Sequence, residues 1–394
     1  MPNALQKQLV TPIPKTGVLI ASHFLADFFS SLLPGVLPVI LAYFQLPLQT
    51  GIIVVAFMGI GANFLQIPAA ALDQSRRTPR ILALGLILAS LVLCIGILPQ
   101  ETPAGILALL MLCIGCGVAL VHPHGLRGTQ IVSAVPATVM TPAFMAGGFA
   151  GAAFAPWCGA ALVENFGLQG LLVLTIPLFG VLAAIYLCHI RLAVDPPTAK
   201  KPEVPTQNRS PWSFRSLFWI ALLMNTGTTI YQTLLSTHLN TLGLPLTAGG
   251  VSLMLFGIGS AIGSMTIGVW IRKRSVSPLF FQEMTIGILL LAIYLRFPTL
   301  PGAYFLSFFA GMTASGQYPI LVSLARSASC SGMDLGRRMA WIVGGTWGIA
   351  NLLFAGIGQL TRWTTLTRVI QLSWVFYAAA LLTALLCLKP SKNR

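Results

Sequence analysis

A chain of 394 residues that is 56% hydrophobic and only 8% charged carries more apolar surface than a soluble core of that length can hide. A mean hydropathy of +0.85 points instead to an all-α membrane protein crossing the bilayer many times. The net charge of +15 would suit nucleic acid or an anionic lipid surface, and its distribution along the chain decides between them.

Apolar runs of roughly 20 residues predict twelve membrane helices, over 17–42, 50–72, 80–98, 104–123, 138–163, 168–190, 216–239, 246–271, 277–296, 302–323, 339–361 and 366–388. The first run follows Lys7 and Lys15, yet it is too long for a signal peptide and no small-residue cleavage site follows it, so it is read as a retained helix. Assigning alternate loops to opposite sides puts twenty Lys and Arg on one side and three, Arg296, Arg362 and Arg368, on the other. That bias predicts cytoplasmic termini and removes the need for a nucleic-acid partner. The seven cysteines lie in or beside predicted spans, so no disulfide framework is expected.

The first run reads SHFLADFFSSLLPGVLPVI and places His23 and Asp27 four residues apart, on one face of a helix. An intramembrane aspartate costs about 2.5–3.5 kcal/mol on insertion scales and faces the bundle interior or a water-filled cavity. Two ionisable groups whose charged forms burial penalises can exchange a proton as their exposure changes. Asp27, assisted by His23, is therefore the expected proton-coupling site, with a static polar tie to a neighbouring helix as the plain alternative.

Between the second and third runs, AALDQSRRTPR places Asp73, Arg76 and Arg77 in a short charged loop, where a solvated turn charge is the plain reading of Asp73. The fourth run ends GVALVHPHGLRG. Pro123 is expected to interrupt this helix and Gly125 to end it, with His122, His124 and Arg127 lining the opening as substrate-binding residues. Arg127 could hold a carboxylate, phosphate or phosphonate through two parallel hydrogen bonds. Cys113 and Cys116 share a helix face, but their spacing to His122 and His124 fits no compact zinc motif, so no metal is assigned. In the fifth run Gly147, Gly151, Ala155 and Gly159 form a small-residue stripe that lets two backbones approach.

The polar, proline-rich stretch 193–215 reads as a linker between two six-helix units, 1–192 and 216–394. Pro123 and Pro319 are 196 residues apart, and the pairs Gly147-Gly148 and Gly344-Gly345 are 197 apart, the trace of a parallel repeat. The second unit offers Asn225, Tyr231, Gln232 and His238 on the seventh run, Gln317 and Tyr318 on the tenth, and Trp347 and Asn351 on the eleventh. Asn225, Tyr231, Gln232, Gln317, Tyr318, Trp347 and Asn351 are the uncharged polar and aromatic groups expected around a solute. Glu283 is a reserve proton site. No nucleophile, base and oxyanion constellation and no nucleotide loop is present, so no enzyme and no cofactor is expected.

Taken together, SHFLADFFSSLLPGVLPVI, GVALVHPHG, AFMAGGFAGAAFAPWCGA and ENFGLQG resemble the fosmidomycin-resistance branch of the major facilitator superfamily. His23, Asp27, Pro34, Pro38, His122, Pro123 and Gly125 match that branch, while Ala26 and His124 depart from it. AALDQSRRTPR resembles the cytoplasmic clamp loop of the superfamily, which implies gating by Asp73, Arg76 and Arg77, and GAAFAPWCGA resembles the helix 5 motif of its antiporters, which implies gating at Gly147, Gly151 and Pro156. The resemblance implies two six-helix halves and proton-driven efflux of drugs or small anions by a monomer whose partners are its solute, protons and lipid. A transporter of metal-chelating molecules, suggested by the several histidines, and a sensor that moves nothing are the competing expectations.

Overall fold

The computed structural model describes residues 12–70, 72, 78–131, 137–188, 190, 210–271, 275–328 and 332–388. Asp73, Arg76 and Arg77 lie outside these residues, as does most of the interval 193–215.

The described chain is helical throughout, because in hydrocarbon a backbone satisfied within one segment is the only open structure without unpaired amides. Twelve helical segments follow in order. α1 is Pro12–Tyr43; α2 is Leu48–Phe64, continued by Gln66–Ala70; α3 is Thr78–Ala89, tightening to a 3-10 turn over Ser90–Gly96. α4 is Ala104–Ile131, α5 is Ala137–Phe166, and α6 joins a 3-10 stretch, Leu168–Leu174, to Thr175–Leu187. α7 is Phe214–Thr241, α8 is Leu246–Trp270, and α9 is Val276–Arg296. α10 comprises Tyr304–Thr313 and Tyr318–Ser327 around a 3-10 turn at Ser315–Gln317. α11 runs from Leu335–Ala340 through a π-helical turn at Trp341–Gly345 to Thr346–Gly358 and Gln359–Arg362; α12 is Leu366–Leu386.

Nine of these segments are long and apolar enough to cross a membrane. The other three have local reasons. The apolar part of α3, Arg80–Gly96, is short, and the 3-10 turn divides α10. α7 is rich in threonine, and Asn225, Thr226, Thr228, Thr229, Thr233, Thr237 and His238 are all buried along it. Its polar groups face protein: Thr226 and Thr228 return their hydroxyls to the Leu222 and Met224 carbonyls. Large apolar side chains such as Ile176, Phe179, Leu187, Met265 and Leu386 point outward instead, as a bilayer requires.

Two apolar cores form. One joins α1 to α6 with Leu246 of α8; the other joins α7 to α12 with Ile52 and Ala56 of α2. These crossing members mark where the two groups of helices meet, along α2 against α11 and α5 against α8.

The expected break in α4 does not occur. The helix runs on through Pro123 and past Gly125; Gly125 packs below the Phe144 ring instead of ending it. A proline costs a membrane helix one hydrogen bond, and neighbouring helices re-satisfy the freed backbone.

Candidate functional site

The small residues of α5 draw its backbone onto α1. A side chain at Gly147 would strike Ile20, and one at Gly151 would strike the Phe24 backbone. Pro156 is placed differently, its carbonyl wedged between Gly35 of α1 and Gly250 of α8. Gly148 has its open face against Asp27 and His23 themselves. Close approach of α5 therefore shapes the pocket that holds these two groups.

Within it, His23, Asp27 and His122 converge from α1 and α4. His23 Nε2 lies 3.2 Å from Asp27 Oδ2, and His122 Nε2 lies 2.7 Å from Asp27 Oδ1. The rings of the two histidines meet edge to face at 4.9 Å, and His23 stacks on Phe144 at 4.0 Å. His23 is buried at 4% exposure, whereas Asp27 and His122 retain 18% and 24%. α1 packs against α4, α5, α7 and α8.

The hydrogen positions follow from the partners. His23 Nδ1 is 2.7 Å from the Phe144 carbonyl, which only accepts, so Nδ1 carries a hydrogen. Gln66 Nε2 donates to the Ala62 carbonyl and to His122 Nδ1 at 3.2 Å. His122 Nδ1 is then an acceptor, and its hydrogen sits on Nε2, donated to Asp27 Oδ1. His23 Nε2 faces Asp27 Oδ2 with no hydrogen already assigned to either atom. Their contact needs one, and that single proton can reside on nitrogen or oxygen.

These three are the one group of candidate metal ligands among the described residues, with ligating atoms within 4.8 Å of one another. Neighbouring ligands of a tetrahedral ion stand roughly 3.4 Å apart, and His122 Nε2 already carries a hydrogen toward Asp27. Both histidines already meet the Asp27 carboxylate directly, one at each oxygen.

The other expected residues scatter. His124 donates Nε2–H to the Ala69 carbonyl and is fully buried, so it ties α4 to α2 and does not line an opening. Arg127 is half-buried on α4. Glu283 is buried on α9 and is not among the clustered groups. Tyr231 is fully buried and bonded to Ser307 at 2.6 Å; Gln232 is half-buried.

A second, uncharged cluster forms on α7, α10 and α11. Thr346 N–H bonds the Trp341 carbonyl across the π-helical turn, which leaves the Ile342 carbonyl to the Thr346 and Tyr318 hydroxyls at 2.7 and 3.1 Å. Asn225 donates to Thr346 Oγ1 at 2.9 Å, and Trp347 packs edge to face on Tyr318 at 5.8 Å. Gln317 is fully buried with neither amide atom bonded among the described residues. Asn351 donates to the Trp347 carbonyl and lies against Gly59 of α2.

Sequence reasoning missed Gln66, the Phe144 carbonyl and Thr346. A lone glutamine inside the apolar stretch NFLQIPAA was the only signal for the first; a backbone acceptor has none.

The sequence profile described as the Major Facilitator Superfamily matches residues 19–329. The chain belongs to that superfamily. No curated protein matches it in sequence. Among solved structures, it is similar to a point mutant of the nucleoside transporter NupG, at a TM-score of 0.73 and 12% identity over 95% of this chain and 100% of that one. It is also similar to a POT family transporter in complex with 5-aminolevulinic acid, at 0.69 and 14% over 94% and 95%. A POT family transporter with a thioalcohol-conjugated peptide gives 0.69 and 13% over the same shares. These likenesses share the fold. With the family match they make this superfamily member a multi-pass membrane transporter of small molecules, not an enzyme.

Proposed function

We propose that this chain is a proton-coupled secondary transporter that exports a small organic solute, drug-like or anionic, by alternating-access exchange. In this reading all twelve helices cross the bacterial inner membrane as two six-helix halves, residues 1–192 and 216–394, joined by a cytoplasmic linker over 193–215. Both termini are cytoplasmic, and one monomer completes the cycle. Export is supported by the likeness of GAAFAPWCGA to antiporter helix 5 sequences.

The observation that carries the proton is the His23–Asp27 contact. Loaded, the pair shares one hydrogen across 3.2 Å. Unloaded, two lone pairs face each other and the contact repels, so it opens or takes a donor group from elsewhere. A hydrogen-bond donor on the solute can fill that place, and solute and proton then compete for one site. Each shifts the balance of conformations only by its differential affinity. An anionic group on the solute would find Arg127 as its partner, and the uncharged cluster around Asn225, Tyr318 and Thr346 would receive the neutral remainder.

The test is proton release from energised inverted membrane vesicles challenged with phosphonates, lipophilic drugs and metal chelates in turn. A compound that discharges the gradient with the natural protein and not with Asp27→Asn supports exchange. Equal discharge by both proteins removes Asp27 from the coupling.

A further inference from the structure

α2 changes character at Gln66. Its regular helix ends at Phe64 and resumes at Gln66, because Pro68 has no N–H to give the Phe64 carbonyl. Just before this break, α2 touches the other half of the molecule. The Phe64 ring fills the space above Gly348 of α11, and the Asn63 carbonyl lies against Gly344. Gly344 belongs to the π-helical turn, a rare element found most often at functional sites. Just after the break, Gln66 spends its amide on the Ala62 carbonyl and on His122 Nδ1. Two residues thus separate a contact between halves from the group that sets the hydrogen position on His122.

We propose that Gln66 is a positioning residue that links the α2–α11 contact to the tautomer of His122. While its amide donates to Nδ1, His122 is held as the Nε2–H donor to Asp27 Oδ1, and the exchangeable proton is confined to the His23–Asp27 contact. When the α2–α11 contact rearranges, the amide withdraws and Nδ1 is no longer held bare, so the hydrogen of His122 can sit on either nitrogen. In the Nδ1–H form the Nε2 contact with Asp27 Oδ1 needs a proton of its own, and a second place for a proton appears. This rests on reading the cluster as the proton carrier, although its first test does not.

The experiment is nitrogen-15 spectroscopy of full-length protein, histidine-labelled, in lipid nanodiscs, with the five histidines assigned by single substitution. His122 in the natural protein is expected to show a protonated Nε2 and a bare Nδ1. Gln66→Glu, whose carboxylate only accepts, is expected to reverse that pattern, and Gln66→Leu to give a mixture. Gly348→Ala places a methyl against the Phe64 ring and is expected to shift His122 toward the mixture with no change inside the cluster. A natural protein with Nδ1–H on His122, or glutamate and leucine variants with its natural pattern, overturns the positioning role. An unchanged His122 in Gly348→Ala overturns the link to the other half. Retention of proton coupling in Asp27→Asn would instead overturn the transport reading and leave the tautomer result standing.

Discussion

The repeat puts Tyr318 where the first half has His122, 196 residues earlier, and the two halves use that shared position for opposite purposes. In the first, α1, α4 and α5 bring together two histidines and a carboxylate, with the Phe144 carbonyl of α5 as an outer acceptor. In the second, α7, α10 and α11 bring together an amide and two hydroxyls, with the Ile342 carbonyl of α11 as the acceptor. The scaffold is the same: a side chain from the proline-bearing helix and a backbone carbonyl from the glycine-pair helix. Only the first cluster can change its charge. One cluster thus gathers titratable groups around a single carboxylate, while the other is left to neutral hydrogen bonding, which carries no intramembrane cost of charge.

The comparison breaks most sharply at the two central polar groups. Asp27→Asn is expected to reduce proton-driven flux to the level of vesicles without the protein, because the amide cannot share a dissociable proton with His23. Tyr318→Phe removes one hydroxyl donor, a loss of about 0.5–1.5 kcal/mol, and is expected to weaken solute affinity about two- to tenfold while coupling persists. Flux against pH gradient for the two variants checks both. Equal loss of coupling in both would mean that the halves share the ion.

The glycine pairs sharpen the same contrast. A methyl at Gly148 would fall on Asp27 and His23, whereas one at Gly345 would meet only the edge of the Trp341 ring, which is partly exposed and outside either polar cluster. Gly148→Ala is therefore expected to lower coupled flux at least several-fold, and Gly345→Ala by less than twofold, with both proteins folded by size-exclusion chromatography. The reverse order would place the working site beside α11.

Much of this was legible in the chain, and the remainder was not for identifiable reasons. His23 and Asp27 declared themselves because four-residue spacing forces one helix face. The stripe through Gly147 and Gly151 declared the approach of α5, though not that its partner is α1 of the same half. His122 stood out as an intramembrane histidine, but its bond to Asp27 required knowing that α4 stays helical through Pro123, against the local signal. The π-helical turn and the role of Thr346 left no mark in the sequence, since both arise where α7, α10 and α11 meet. Tyr231 looked like a solute ligand and is a buried tie to Ser307, because an inward-facing tyrosine has the same pattern in either role.

A further modest effect is expected where the two groups of helices close, away from either polar cluster. Glu164, exposed near the end of α5, accepts the Thr247 backbone N–H at 3.0 Å, so a carboxylate of one half caps the first turn of α8 in the other. Four residues back, Ala160 is fully buried against Gly250, and this junction should stay shut while the cap holds. A single exposed carboxylate at a helix N-terminus changes an equilibrium by about two- to fivefold, much less than loss of the dissociable proton at Asp27. Glu164→Gln is expected to speed labelling of a cysteine placed at Ala160 by that factor, measured with an impermeant maleimide in a background without the seven native cysteines. High salt should remove only part of the difference, since the N-terminal dipole persists when long-range charge is screened. A labelling rate unchanged by Glu164→Gln would mean that the apolar contact of Gly250 with Pro156 and Ala160 closes this end unaided.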